Sequence, residues 1–347
     1  MIKRGSTTNP FNRFTDHGWS WDEEIPPDER GNPKTQFIQD STASIISTNT
    51  SPDVPFDASI NPYRGCEHGC VYCYARPTHE FLGYSPGIDF ETKILVKQNA
   101  AQLLREQLAS KQWHPRLLML SGVTDPYQPI ERKLKITRSL LEVLAEAKNP
   151  VTIITKNYLV ARDIDLLAEL AKYSCIVVAI SITTLDPALT SVLEPRTSRP
   201  NRRLQAISKL ADAGIPTGVM IAPVIPGLND HEIPEILKAA AESGATYANY
   251  TLLRLPYALK DIFTDWLDTN YPLRKEKILN RILMFRDGKL NNSDFGSRFK
   301  GQGPIAAQVR DMFRIHVQKN GLNKDRPQLM TNHFRRPTLN GQFNMFD

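Results

Sequence analysis

Arg64-Gly65-Cys66-Glu67-His68-Gly69-Cys70-Val71-Tyr72-Cys73 gathers three of the chain's four cysteines into a single loop-like run. Three thiolates at this spacing fit three corners of a cubane iron-sulfur cluster and leave its fourth iron without a protein ligand. Such clusters are ordinarily held by a cysteine at every iron, so a set one ligand short marks a working centre with an open position. The competing reading is a structural zinc site, in which His68 or His79 completes a set of three cysteines and one histidine. Cys175 stands apart in the apolar run Cys175-Ile176-Val177-Val178-Ala179-Ile180, where a buried strand thiol accounts for it.

Around this run the chain alternates short aliphatic stretches with longer amphipathic ones. Strands are expected at 59–63, 117–121, 151–155, 176–182, 217–222 and 247–253, and helices at 100–110, 137–147, 161–173, 202–213 and 232–243. Gly214 and Gly244 stand where helices stop. Strands joined by helices pair in parallel through right-handed crossovers. Six units are too few for a closed eight-stranded barrel. An open barrel and a doubly wound sheet both fit, and both place the active site at the carboxyl ends of the strands.

The 347 residues, 41% of them hydrophobic, suffice for one large domain of barrel size with appendages or for two ordinary domains. Residues 1–57 are rich in Pro, Asn, Ser, Thr and Asp and read as an extended N-terminal arm, docked in part through Phe11, Phe14, Trp19, Trp21 and Phe37. Residues 58–255 form the α/β core, and residues 256–347 a helical extension, with helices expected at 258–267, 274–285 and 305–317, that caps the barrel. Clustered cysteines make no disulfide framework, and an oxygen-sensitive cluster requires a reducing compartment, so a cytoplasmic location is expected. No secretory signal opens the sequence, and no stretch approaches the ~20 apolar residues of a membrane span, so no membrane partner is expected. A net charge of +6 permits a polyanionic partner without requiring one.

The cysteine spacing, with an aromatic just before the last cysteine, resembles the signature of the radical S-adenosyl-L-methionine (SAM) enzymes. The resemblance implies a partial (β/α)6 TIM-like barrel with the cysteines after the first strand. It also implies a 4Fe-4S cluster on Cys66, Cys70 and Cys73, SAM chelated at the open iron, and an electron donor such as flavodoxin or ferredoxin. In that family one electron from the cluster cleaves SAM to methionine and a 5′-deoxyadenosyl radical, which abstracts hydrogen. The strand ends then acquire expected roles. Asp125, in Thr124-Asp125-Pro126, takes the place of a glutamate that holds the SAM ammonium, although Val123 and Thr124 replace the usual glycine pair. Lys156 and Arg196 are candidates for the SAM carboxylate, Ser181 for the ribose or carboxylate, and Ala222 with Tyr72 for the adenine side. Glu194 is expected to form a local pair with Arg196, with Glu131 and Arg254 at comparable strand-end positions.

Within the superfamily, the runs 61–76, 124–129 and 194–196 look most like the branch related to spore photoproduct lyase, the photolyase-like proteins. Cys175 does not match that enzyme's hydrogen-returning cysteine, and Tyr74, Tyr84 and Tyr127 are open alternatives. Nucleic acid is one expected substrate, with Arg196, Arg199, Arg202, Arg203, Arg335 and Arg336 as phosphate contacts; a peptide or a small molecule is another. A non-catalytic iron-sulfur or zinc binding module is the alternative from a different class. Too few cysteines are left for a second cluster, which disfavours methyl transfer or sulfur insertion. The sequence leaves the oligomeric state open.

Overall fold

The computed structural model describes residues 4–14, 33–120 and 122–339; Trp19 and Trp21 lie outside them. The strands are β1 (Gln36–Gln39), β2 (Ile46–Thr48), β3 (Ala58–Ile60), β4 (Tyr63–Arg64), β5 (Lys93–Val96), β6 (Leu118–Leu120), β7 (Val151–Thr155), β8 (Ile176–Ser181), β9 (Thr217–Val224) and β10 (Tyr247–Leu252). Seven of them form one sheet in the order β10-β9-β8-β7-β6-β3-β2, parallel throughout except for β2 at the edge.

The parallel run β3, β6, β7, β8, β9, β10 coincides with the six expected strands. The intervening helices Ala100–Ala109, Ile136–Ala147, Ile164–Ala171, Pro200–Asp212 and Ile233–Glu242 coincide with the five expected helices. Strand order follows chain order, so the sheet curls as an open barrel rather than winding in both directions from a central strand. β10 and β3 are not neighbours, and the barrel has a seam. Ile, Val and Leu from the strands pack against one face of each helix to form the core, as parallel strands covered by helices require. Among the described residues no helix is long and apolar enough to cross a membrane.

The first strand ends earlier than expected. Pro62 cannot donate to a ladder, and the Asn61 side chain instead accepts from the amides of Val123 (2.8 Å) and Thr124 (3.4 Å). Tyr63–Arg64 then joins β5 and β1 in a separate three-stranded sheet. The segment before β3 therefore contributes strands to both sheets. β1 and β2 are only four and three residues long, below the length at which alternation is visible in sequence.

The seam is crossed by side chains and loop backbone. Leu252 N donates to Phe299 O (2.8 Å) beside β10. From the same loop Gly296 N donates to Asp53 Oδ1 (2.7 Å), and Arg298 Nε lies 2.5 Å from Asp53 Oδ2, just beyond β2. The helices Leu259–Asn270, Lys275–Phe285 and Gly303–Lys319 carry this loop, and Arg286 Nη2 ties them to the carbonyl of Leu253 (2.5 Å).

Gly5 and Ser6 are pinned behind the cysteine loop. The buried carboxylate of Glu91 accepts from Gly5 N (3.0 Å), Ser6 N (2.8 Å) and Arg76 Nη2 (2.5 Å), and Arg76 Nε donates to Cys70 O (3.0 Å). A Cβ on Gly5 would stand 1.6 Å from Gly69 O. Gly5→Ala is therefore expected to displace the cysteine loop, lowering the melting temperature by an amount equivalent to about 1–3 kcal/mol and reducing the iron retained after reconstitution. Thermal melts and iron assays check both effects.

Candidate active site

The cysteine loop leaves β4 at Gly65, whose positive φ (78°) favours glycine and where a Cβ would stand 3.0 Å from His79 Cε1 and from the carbonyls of Lys93 and Phe90. Cys66 N donates to Phe90 O (2.9 Å) and Val71 N to Leu193 O (3.1 Å), so the loop is fixed to elements on both sides. Cys66 and Cys70 are buried, Cys73 is partly so, and none forms a disulfide.

Burial pushes all three thiols above their ordinary range. The Asp125 carboxylate adds to this at Cys66, the Glu194 carboxylate at Cys70, and the sulfurs also act on one another. Thiolates persist in such a place only when a cationic centre is bound among them. Among the described residues no three His, Cys, Asp or Glu side chains converge as one metal ion requires. A cubane takes each cysteine on a different iron, and three free cysteines of one loop match that donor set. Neither histidine completes a zinc set. His68 Nδ1 lies 3.4 Å from Asp125 Oδ2, with its Nε2 3.2 Å from Asn157 Nδ2. His79 is buried against Tyr84 and Phe90.

Beside the thiols, three strand ends converge. Lys156, just past β7, directs Nζ to Ser181 Oγ (2.5 Å) at the end of β8, to Ala222 O (2.9 Å) in β9 and to Thr183 Oγ1 (3.3 Å). The Tyr72 ring lies 5.6 Å from that ammonium, and its hydroxyl lies 3.2 Å from Thr183 Oγ1 and donates to Glu194. Tyr72, Lys156, Ser181 and Ala222 are thus brought together.

Asp125 stands next to this group but is engaged by the protein. Its oxygens accept from Thr155 Oγ1 (2.7 Å), Tyr127 N (2.9 Å) and Lys156 N (2.8 Å). Burial pushes its carboxyl up, but His68 and these hydrogen bonds outweigh burial and hold it below the usual range. Asp125 ties the cysteine loop, through His68, to the ends of β6 and β7.

Arg196 does not join the group. Its amide donates to His68 O (3.2 Å), and its guanidinium turns outward to Glu67 Oε1 (2.7 Å), because Glu194 already has stronger cationic partners. The expected Glu194–Arg196 pair is thus replaced: Glu194 is buried between Arg203, to which it is ion-paired, and Lys156 Nζ at 3.5 Å. Burial would raise its carboxyl, and Arg203 and then Lys156 pull it down to about 2. Sequence reading missed this centre, yet a signal was present. Arg203 shares the buried face of its helix with Ala206, Ile207 and Leu210, the spacing of a core position.

Three expected phosphate contacts, Arg203, Arg335 and Arg336, are corrected, whereas Cys175 is buried as expected. Arg203 is fully buried and cannot reach a phosphate. Arg335 N and Arg336 bond to carbonyls at Ala147, Leu108 and Ser110, the carboxyl ends of two crossover helices and hence the barrel face opposite the cysteines. Cys175 precedes β8 at that same remote face, its Sγ against the carbonyls of Lys148 (3.2 Å) and Tyr173 (3.4 Å).

Residues 60–240 match the family model of the Radical SAM superfamily. The chain belongs to that superfamily. Membership implies SAM and an iron-sulfur cluster. An uncharacterized protein of Mycobacterium tuberculosis is 38% identical over 221 residues, 63% of this chain and 65% of that protein, so the match spans less than two thirds of the relative's length. A radical SAM Nalpha-GlyT isomerase of Pseudomonas phage M6 is 29% identical over 173 residues, 49% of this chain and 34% of that one. Spore photoproduct lyase complexed with dinucleoside spore photoproduct shares the radical SAM fold, with a TM-score of 0.60 at 18% identity, covering 84% of this chain and 86% of that one.

Proposed function

We propose that this protein is a radical SAM enzyme in which Cys66, Cys70 and Cys73 hold a 4Fe-4S cluster and Tyr72, Lys156, Ser181 and Ala222 receive SAM. The observation that carries this reading is the convergence of Lys156, Ser181, Thr183 and Ala222 from three strand ends beside two buried thiols and a third that is partly buried. When bound, cluster and SAM together supply a 5′-deoxyadenosyl radical for hydrogen abstraction. The ammonium of Lys156 offers a charge-assisted bond to the SAM carboxylate, and the hydroxyls of Ser181 and Thr183 offer donors and acceptors for its polar groups. Asp125 is a positioning residue here, holding the cysteine loop against the strand ends rather than touching SAM.

The substrate side lies beyond these strand ends. Phe14 stacks on Phe81 (4.9 Å between centroids) with 58% and 73% of their surfaces exposed, and the Arg13 guanidinium sits 3.5 Å from the exposed Tyr257 ring, past the end of β10. Tyr74 reaches across to Gly122 O (2.7 Å), past the end of β6. Exposed rings interleaved with arginine suit an unpaired nucleobase, and support nucleic acid over a peptide as substrate.

The test is anaerobic reconstitution with iron and sulfide, addition of dithionite and SAM, and chromatographic assay for 5′-deoxyadenosine; a wild-type protein that forms none sinks the reading. Lys156→Ala is expected to raise the KM for SAM about 10- to 100-fold, the equivalent of losing one charge-assisted bond, with cluster iron unchanged. An equal loss of iron would show that Lys156 serves the fold instead.

A further inference from the structure

Behind the cysteine loop lies a recess of about 510 Å³ whose lining includes Arg4, Lys34, Phe37, Glu67, Lys133 and Arg196. Among the described residues four cations line it against one carboxylate, and that carboxylate is already committed: Glu67 accepts from Arg196 Nη2 (2.7 Å) and Ile130 N (2.8 Å). Lys34 and Lys133 are exposed on its rim. Phe37, 46% exposed, adds an apolar anchor. Consecutive side chains of the loop face opposite ways: Glu67 lines the recess, and His68 points to Asp125 and the strand ends. The recess therefore lies across the loop from the place proposed for SAM.

It is nevertheless close to the thiols. Glu67 is bonded directly to Cys66. Gln128, next to the recess wall at Pro129, accepts from Glu67 N (2.9 Å) and donates to Gly65 O (3.3 Å), bracketing Cys66 on both sides. A substrate bound here would be cut off from the strand ends by the loop itself, whereas an electron has only a few covalent and hydrogen bonds to cross.

We propose that this recess is the docking point of the reductant, a small redox protein with an acidic surface, one of whose carboxylates enters between Lys34 and Lys133. The inference rests on the radical SAM reading above. The step is the passage of one electron from the donor's reduced flavin or iron-sulfur centre to the centre held by Cys66, Cys70 and Cys73; no bond forms or breaks and the donor is oxidised by one electron. A positive rim around an aromatic anchor is suited to a transient, electrostatically steered partner, with affinity that falls as salt rises.

The experiment compares full-length wild type with the double variant Lys34→Glu, Lys133→Glu. Binding of a flavodoxin, and separately of a ferredoxin, is measured by titration calorimetry at low and high salt. 5′-Deoxyadenosine formation is then followed with the reduced protein donor and with dithionite. Charge reversal is expected to weaken binding of the donor at least ~10-fold and flatten its salt dependence, to slow donor-driven cleavage by a similar factor, and to leave dithionite-driven cleavage unchanged. Binding that is unaltered by the reversal, or a wild type that binds neither donor, overturns the proposal. So does an equal fall with dithionite, which would mean that the lysines support the fold. Loss of oligonucleotide binding instead of donor binding would make the recess a nucleic-acid contact and also overturn it. Absence of cleavage in wild type with dithionite strikes the radical SAM reading itself, and the calorimetry distinguishes that failure from this one.

Discussion

Cys70→Ala, reconstituted anaerobically beside wild type, is expected to lose most of its bound iron and sulfide and to form no detectable 5′-deoxyadenosine. Desolvation holds the three thiols above their ordinary pKa, and neighbouring sulfurs add to it at Cys66 and Cys70, so each depends on a bound cationic centre to ionise. Removing one leaves two ligands for a cluster that already lacks a fourth. The fold is expected to survive, since losing one sulfur from the core costs only about 1 kcal/mol, and an unchanged melting profile of the metal-free protein would separate lost chemistry from lost structure. Cys175→Ala serves as the internal control. Its sulfur rests on the carbonyls of Lys148 and Tyr173 at the opposite face of the barrel, so iron and cleavage should both persist. A colourless wild type that retains one zinc and never cleaves SAM would instead establish the binding-module alternative.

The second large effect is at Glu194. Its carboxylate is the shared acceptor of Arg203, Thr183, Tyr72 and, at 3.5 Å, Lys156, all within the core. Glu194→Ala leaves the fully buried Arg203 guanidinium without its counter-charge, a change that typically costs about 3–5 kcal/mol, a large share of the roughly 5–15 kcal/mol that stabilises a domain. Urea denaturation should show an unfolding free energy lower by that amount, and a loss below about 1 kcal/mol would contradict this account. The pH dependence has a definite sign. The folded carboxyl sits at about 2 against an ordinary 4.5, so its stabilisation is complete above pH 4.5 and is lost as pH falls towards 2. That difference corresponds to about 3 kcal/mol. His79 adds an earlier limb. Burial lowers its imidazole to about 4 from an ordinary 6.5, so the folded state refuses a proton that the unfolded chain accepts, and stability falls as pH drops from 6.5 to 4. Stability measured across pH should therefore decline from about 6.5 and continue below 4.5, with the lower limb reduced in Glu194→Ala to what Asp125 and the other lowered carboxyls contribute.

The barrel was legible because parallel strands covered by helices must be apolar runs separated by amphipathic ones, and six such pairs are present. Lys156, Ser181 and Ala222 were legible for the same reason: once a strand is placed, the residues about its carboxyl end are placed. Two things escaped. Glu194 and Arg196 are separated by one proline, so a local pair looked natural, but long-range partners decided otherwise and sent one inward to Arg203 and the other outward to Glu67. The segment before β3 escaped because strands of three or four residues gain their stability from the partner they join, which no local pattern announces.

The carboxylate of Asp53, meeting Gly296 and Arg298 across the seam, has a consequence for how this architecture can change over evolutionary time. A barrel closed by ladders has a girth fixed in whole strands, because strand number and stagger are linked. Here the girth is set by how far one loop reaches. Residues inserted or deleted between Phe285 and Gly303 would widen or narrow the mouth in steps of a few ångströms while every rung of the sheet stays in register. The length of that loop is thus a dial on the size of the molecule admitted, independent of the residues beneath it.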